Sequence, residues 1–262
     1  MLRGIYAILV LDLKRFWLDR ARLLAGLVQP LLYLFVLGAG LGASSQLGND
    51  YRPFIFPGVI ALSLLFAATF AAIVIVFDRQ IGFFKAVLVA PVPRTAIALG
   101  KIFSGAIQAL VQGVIVLPFA PLAGVHLTVI RVVAALGAMA LAALAFSAIG
   151  VAVASRFRST TVFPIVSNGI LLPMFFLSGA LYPLDVAPHW MIVAAHADPV
   201  AYGVDLIRRA LIVEAHPFTA HAWVEIVVLF GVIAILTALA VQVFSRGEDD
   251  SSLGAAQFRR GR

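Results

Sequence analysis

Six stretches of the chain are apolar for about twenty residues each, and polar segments separate them. A helix of about 20 apolar residues is long enough to cross the hydrocarbon core of a bilayer. We therefore predict six transmembrane helices, near 23–44, 54–77, 102–125, 132–154, 161–182 and 223–244. The pattern predicts an all-α membrane protein in which 1–22 is a separate N-terminal helix, 23–244 is the transmembrane domain and 245–262 is a loosely docked or disordered tail.

Residues 1–22 carry a polar and an apolar face at helical spacing. The polar stripe consists of Asp12, Arg15, Asp19 and Arg22. The apolar face consists of Ile5, Leu9, Leu13, Phe16 and Trp17. A secretory signal peptide would have an uncharged core at this place, so the charges exclude that class of segment. We predict an amphipathic helix in the membrane interface. A solvated helix packed on the protein's own loops is the alternative.

The connection between the second and third predicted spans, 78–101, has a helical pattern of its own. Asp78 is a suitable N-cap residue, and an apolar stripe follows at Ile81, Phe84 and Leu88. Pro91 and Pro93 then end the pattern, because proline cannot continue a helix. We predict a short helix at the membrane surface, where another protein could push on it.

The segment 181–222, between the fifth and sixth predicted spans, is the other long connection. It is rich in proline, and within it an apolar stripe recurs at helical spacing: Val200, Val204, Ile207 and Leu211. We predict a re-entrant or interfacial amphipathic helix on the outer face.

Composition and charge support a membrane location. Hydrophobic residues make up 63% of the chain, charged residues 12%, and the mean hydropathy is +1.07, far from the usual soluble composition. Fifteen of the nineteen Lys and Arg residues fall on the side of the N terminus, and the other four are Arg52, Arg131, Arg208 and Arg209. This asymmetry predicts that both termini are cytoplasmic. It also accounts for the net charge of +7 without a nucleic-acid partner.

The predicted spans contain no ionisable side chain at hydrocarbon depth, which disfavours a carrier coupled to protons or sodium. The chain has no cysteine, no phosphate-binding glycine loop, no convincing set of metal ligands and no nucleophile–base pair. We therefore expect no catalytic, cofactor or metal site in this chain. Neutral polar side chains do occur in the spans, at Ser104, Gln108, Gln112 and Asn168. They either bond neighbouring helices together or line a substrate path.

Two motifs carry a family resemblance. The loop DRQIGFFKAVLVAPVPRTAIALGK at 78–101 resembles the cytosolic loop of ABC-2 type permeases, the membrane subunits of ABC exporters. The stretches FLSGALYPLDVAPHW at 176–190 and DPVAYGVDLIRR at 198–209 resemble the outer-side motif of the same family. The likeness covers nearly the whole chain and is nearest to daunorubicin-resistance and nodulation-type exporters. The chain departs from the family pattern at Gln80 and Ala86, where acidic residues are frequent, and at Asp198, where Asn is.

The resemblance implies a permease that is not itself an enzyme. Two six-span subunits, identical or homologous, would form a translocation path in a bacterial plasma membrane, above two separate ATPase subunits that bind ATP and Mg²⁺. The helix near 79–90 would seat in the ATPase, with contacts from Arg79, Phe83, Phe84, Lys85, Leu88 and Arg94. Plain adhesion to the membrane surface is the competing interpretation of these residues. The outer-side motif would include Ser178, Gly179, Pro183, Pro199 and Arg208.

The cargo expected from an uncharged path is drug-like, a lipid or a lipophilic natural product. A polysaccharide or glycolipid is the alternative cargo, since sugars stack on aromatic residues and the chain has twenty phenylalanines. A carrier or channel that works without an ATPase is the alternative from a different class of protein.

Overall fold

A computed structural model of the chain describes residues 2–40, 51–80, 93–157, 159–212, 218–219 and 221–246. Every regular element in these ranges is helical. The main helices are α1 (Leu2–Leu18), α2 (Arg20–Leu32), α3 (Tyr51–Gln80), α4 (Arg94–Val116), α5 (Val129–Arg156), α6 (Val162–Leu177), α7 (His189–Ala197), α8 (Pro199–Leu211) and α9 (Ala222–Arg246). The prediction of an all-α protein is therefore confirmed for the described part of the chain.

Five of the described helical segments are long and apolar enough to cross a membrane: Arg20–Leu37, Tyr51–Gln80, Thr95–Phe119, Val129–Arg156 and Ala222–Val243. The first of them continues α2 through a π-helical turn at Tyr33–Leu37. These five correspond to predicted spans one to four and six. The predicted span 161–182 corresponds to α6, which has only 16 residues before the chain leaves the helix at Ser178.

At two of the span boundaries that differ from the prediction, polar residues extend the helices. α3 runs to Gln80 rather than 77, and its Asp78 is buried. α4 begins at Arg94, directly after its N-cap residue Pro93, which has a φ of −62°. Proline has no backbone N–H and so cannot donate the hydrogen bond that would extend the helix toward the N terminus. Lys101 therefore lies two turns inside α4, where it too is buried.

The N-terminal helix α1 packs along the first half of α4, as shown by Gly100, whose missing side chain leaves room for Ile8. Asp12 and Phe16 of α1 are buried, whereas Trp17 is 60% exposed. The sequence prediction placed Trp17 on the apolar face of an interfacial helix and Asp12 on its polar stripe. Asp12 differs from that placement, because it is buried and pairs with Lys101 inside the protein. Contact of Trp17 with the membrane interface stays a prediction.

The core lies where α3, α4 and α5 meet and consists mainly of small and aliphatic side chains. Close helix contact requires glycine at Gly58, since a Cβ there would lie 2.6 Å from the carbonyl oxygen of Ala180. This contact brings the turn after α6 against α3. The helices α7 and α8 then fold back over the same end of the bundle, so that α8 packs against α3, α5 and α9.

Candidate functional site

Three charged side chains from three helices meet at the end of the bundle that carries α1. The Lys101 ammonium on α4 lies 3.0 Å from Asp12 Oδ1 on α1 and 3.2 Å from Asp78 Oδ2 on α3. All three residues are at least 93% buried. A buried charge is tolerated only when it is paired, so each of these residues fixes the position of the other two.

Two further donors complete this group, which we call the basal cluster (Asp12, Arg15, Asp78, Lys101 and Ser104). Arg15 Nη1 donates to Asp78 Oδ1 at 3.0 Å, and Ser104 Oγ donates to Asp12 Oδ2 at 2.9 Å. Every carboxylate oxygen of the basal cluster thus accepts a hydrogen bond, and two cations balance two anions. The basal cluster joins α1 to both helices that border the segment 81–92.

A line of hydrogen bonds continues from the basal cluster along α4. Arg22 Nη2 donates to Gln108 Oε1 at 3.0 Å, and Gln112 Nε2 donates to the carbonyl oxygen of Leu23 at 3.1 Å. Ser104, Gln108 and Gln112 all face the N-terminal helices α1 and α2, so the predicted bonding between helices is observed at these three positions. Asn168 differs, because it lies beside Leu65 and Thr69 of α3 and is otherwise exposed. A part for these four residues in a substrate path stays a prediction.

The predicted coupling residues are only partly described. Arg79 Nη1 donates to the carbonyl oxygen of Ser155 at 2.6 Å, which ties the end of α3 to the end of α5. The next residue, Gln80, accepts a hydrogen bond from Thr160 Oγ1 at 2.9 Å. Phe83, Phe84, Lys85 and Leu88 lie outside the described residues, and of Arg94 only the backbone is described, as the first residue of α4. Arg79 is therefore the one predicted coupling side chain that the structure places.

The outer-side motif is brought together at the opposite end of the bundle. Arg208 of α8 is 4% exposed, and its Nη2 donates to the carbonyl oxygen of Gly179 at 2.8 Å. The guanidinium also lies over the ring of Phe54, 4.4 Å from its centroid, which is a cation–π contact. Gly179 has a φ of +72°, and a Cβ there would lie 2.7 Å from Leu184. Glycine is therefore required at this turn on two grounds.

The other motif residues shape the same turn. The Ser178 hydroxyl donates to the carbonyl oxygen of Phe175 at 2.7 Å, which closes the last turn of α6. Pro183 precedes the 3₁₀ turn Leu184–Val186, and Pro199 is the first residue of α8. Arg208 and Gly179 thus touch directly, whereas Ser178, Pro183 and Pro199 set the backbone around them.

Asp198 caps α8, since its Oδ1 accepts a hydrogen bond from the backbone N–H of Val200 at 2.8 Å. Burial raises the pKa of Asp198 to about 7, and the hydrogen bond from Val200 opposes that shift only in part. Its Oδ2 is buried without a hydrogen-bond partner in the described part of the chain.

Sequence reasoning missed the basal cluster. The residues Asp78 and Lys101 were visible as the two charged ends of one loop, and that spacing was the available signal. Asp12 gave none, because it is 89 positions from Lys101 and lies on a stripe that also fits exposure to water.

The fold and the two polar ends define the class of protein: a multi-pass helical membrane protein whose N-terminal helix is bonded to its spans. The family model described as ABC-2 type transporter matches residues 3–212, most of the chain. The chain belongs to the ABC-2 type transporter family, whose members are the membrane permease components of ABC transporters and work with an ATPase subunit.

Individual relatives agree with this membership. The chain is 34% identical over 201 residues to "Nodulation protein J" of Rhizobium leguminosarum bv. trifolii, covering 75% of this chain and 76% of the relative. It is 31% identical over 196 residues to the protein of the same name from Rhizobium meliloti, covering 73% and 74%. It is also 26% identical over 192 residues to "Putative transport permease ycf38" of Cyanophora paradoxa, covering 71% and 66%.

The basal cluster predicts the effect of Lys101→Met. This change removes the shared cation and leaves two buried carboxylates facing each other, a loss that typically costs about 3–5 kcal/mol. We expect a large fall in the Tm of the detergent-purified protein. The control is Lys14→Met, at an exposed lysine of α1. Equal Tm values for the two variants would contradict the pairing.

The cap residue predicts a pH dependence. Because the pKa of Asp198 is raised from 3.8 to about 7, the folded protein holds a proton that the unfolded chain releases. This contribution to stability is complete below about pH 4 and is lost as the pH rises through about 7. We expect Asp198→Asn, which keeps the cap, to raise the Tm at about pH 8 and to leave it nearly unchanged at about pH 4.

The matched control for this prediction is Asp185→Asn, an exposed carboxyl on the same end of the bundle. The account would fail if Asp198→Asn and Asp185→Asn shifted the Tm equally at both pH values.

Proposed function

We propose that this chain is the six-span permease subunit of an ATP-driven ABC exporter in a bacterial plasma membrane, with both termini cytoplasmic. Two permease subunits form the path and two separate ATPase subunits supply the energy. The observation that carries the proposal is the basal cluster, because it makes α1, α3 and α4 one mechanical unit around the segment 81–92. A motor that moves this segment therefore moves three helices together.

The transmission can be followed through named contacts. The segment 81–92, which we call the coupling segment, is flanked by Asp78 near the end of α3 and by Lys101 two turns inside α4, and these two residues bond each other. Arg79 and Gln80 hydrogen-bond the same end of α3 to the end of α5 and to the turn that follows α5. A displacement of the coupling segment thus reaches α1, α3 and α4 through the buried basal cluster, and α5 through the part-buried contact of Arg79. Phe83, Phe84 and Leu88 are the apolar side chains that we assign to the ATPase contact, with Arg79, Lys85 and Arg94 as its charged rim.

The α6 segment is the fifth of the six spans in this proposal. Its 16 residues are short for a spanning helix, but the turn 178–183 continues it toward the outer surface. Arg208 bonds that turn to α8, which supports a fixed outer end for the short span.

The cargo that the protein's surface supports is apolar or amphipathic, such as a drug, a lipid or a lipophilic natural product. A groove of about 340 Å³ is lined by α5, α6 and α9. Its walls are apolar except for Ser155 and Arg156 at one end. Such a groove offers no set of polar groups that could bind a sugar chain.

The function is tested by mutating the coupling segment in a reconstituted complex. We first expect co-purification with an ATPase encoded beside the gene. We then expect Phe84→Ala and Leu88→Asp to abolish the stimulation of ATP hydrolysis by a panel of amphipathic dyes, because the buried anchors of the contact are lost. The protein should still reach the membrane.

The control is Leu122→Asp, at a position that is 63% exposed in the turn between α4 and α5. We expect normal stimulation with this variant. Failure of any ATPase to associate, or unchanged stimulation with both coupling variants, would overturn the proposed function.

A further inference from the structure

Two carboxyl groups from different helices face each other inside the end of the bundle opposite the basal cluster, which we call the distal end. Asp205 lies on α8 and Glu225 on the first turn of α9, and both residues are fully buried. Their carboxyl groups lie within hydrogen-bonding reach of each other. With Arg208, Arg209 and Thr219 they form what we call the distal cluster.

The hydrogen-bond donors of the distal cluster are unevenly shared. Glu225 Oε1 accepts hydrogen bonds from Arg209 Nε at 2.7 Å and from Thr219 Oγ1 at 2.5 Å. Arg209 Nη2 also donates to the carbonyl and hydroxyl oxygens of Thr219. Arg208 Nη2 donates to the carbonyl oxygen of Gly179, which lies outside the cluster. Most of the donors therefore bond groups other than Asp205.

Three buried carboxylate oxygens are left without a donor among the described residues: Asp205 Oδ1, Asp205 Oδ2 and Glu225 Oε2. Arg208 Nη1 is 3.9 Å from Asp205 Oδ1, and Arg209 Nη2 is 3.8 Å from Asp205 Oδ2, both too long for a hydrogen bond. The backbone amide of Thr219 lies near Asp205 without reaching hydrogen-bond geometry. A buried acceptor without a donor is costly, and an ionised one more so.

A single proton removes most of this deficit, because it pairs two of the three oxygens. Two carboxylates that share a buried site cannot both ionise at low cost, and one proton between them turns two unpaired oxygens into an O–H···O hydrogen bond. Burial raises the pKa of Asp205, although Arg208 and Arg209 favour its charged form.

Two titratable groups near α8, Asp198 and Tyr182, keep a buried oxygen without a partner among the described residues. They interact with each other, and neither is among the groups that act on Asp205. Three other titratable side chains near α8 are engaged elsewhere. On the neighbouring helices, Tyr51 of α3 donates to the carbonyl oxygen of Leu181, Arg131 of α5 to that of His126, and the His196 ring of α7 bonds that of Ile192. The charges that act on Asp205 in the described structure are thus those of Arg208, Arg209 and Glu225.

We propose that Asp205 and Glu225 hold one proton between them, so that the distal cluster is a proton-binding site that ties α8 to α9. One carboxyl carries the proton as a hydroxyl and donates it to an oxygen of the other, which stays ionised and paired with Arg209. Release of the proton to water at high pH leaves two facing carboxylates and weakens the contact between the two helices. The site would make the distal end of the bundle sensitive to alkaline pH, whether or not the chain is exporting cargo.

The experiment uses the purified full-length chain carrying Asp198→Asn, so that the titration of Asp198 does not contribute. Infrared difference spectra between about pH 6 and about pH 10 report the carbonyl band of a protonated carboxyl. We expect a band equivalent to one carboxyl per chain, which disappears as the pH rises. Adding either Asp205→Asn or Glu225→Gln should abolish it, because the remaining carboxyl then has no acid partner and ionises beside Arg209.

Adding Asp185→Asn, at an exposed carboxyl, is the control and should leave the band unchanged. The Tm gives a second readout: it should fall with rising pH in the parent, and the double variant Asp205→Asn/Glu225→Gln should lose that slope. A parent without the band at about pH 6, or a band that survives both single substitutions, would overturn the proposal.

Discussion

The pairing of the Lys101 ammonium with Asp12 and Asp78 is the interaction on which the end of the bundle that carries α1 depends. It is buried between two carboxylates that come from two other helices, and each of the three charges would be prohibitively costly alone. The pairing therefore determines where α1 docks, where α3 ends and how far α4 extends before it becomes an apolar span. Once these ends are fixed, Ser104, Gln108 and Gln112 are in register to bond the N-terminal helices.

At the distal end, a buried charge is stabilised by different contacts. Arg208 is buried, and it contacts the Gly179 carbonyl oxygen and the ring of Phe54 rather than a close carboxylate, while its Nε has no hydrogen-bond partner among the described residues. Burial lowers the pKa of Arg208 to about 10, which still leaves it charged at neutral pH. The described bundle thus has an apolar middle and two polar ends, each of which joins helices that are distant in sequence. Such ends suit an ATP-driven transporter, because its motor acts on one end of the bundle and its path must open to water at both ends.

Much of the fold follows from the sequence, because a run of twenty apolar residues has few alternatives to a spanning helix. The stripe Val200, Val204, Ile207 and Leu211 likewise predicts α8, and all four residues are buried in it. The contacts of the polar side chains were harder to predict from the sequence. Periodicity places Gln108 and Gln112 on one face of α4 but does not identify the helix that this face meets. The burial of Asp12 on α1 has the same cause, because it depends on a tertiary partner, Lys101, rather than on local pattern.

In the mechanism that we propose, the basal cluster makes α1 and α4 move as one body when ATP acts on the complex. The chain has no cysteine, so single cysteines at Lys14 of α1 and Phe103 of α4 can carry spin labels for distance measurement by double electron–electron resonance. The account predicts the same narrow distance in the ATP-free and ATP-trapped complexes. It predicts a broader, state-dependent distance after Asp12→Ala, which frees α1 from Lys101. A distance that changes with ATP while Asp12 is intact would contradict it.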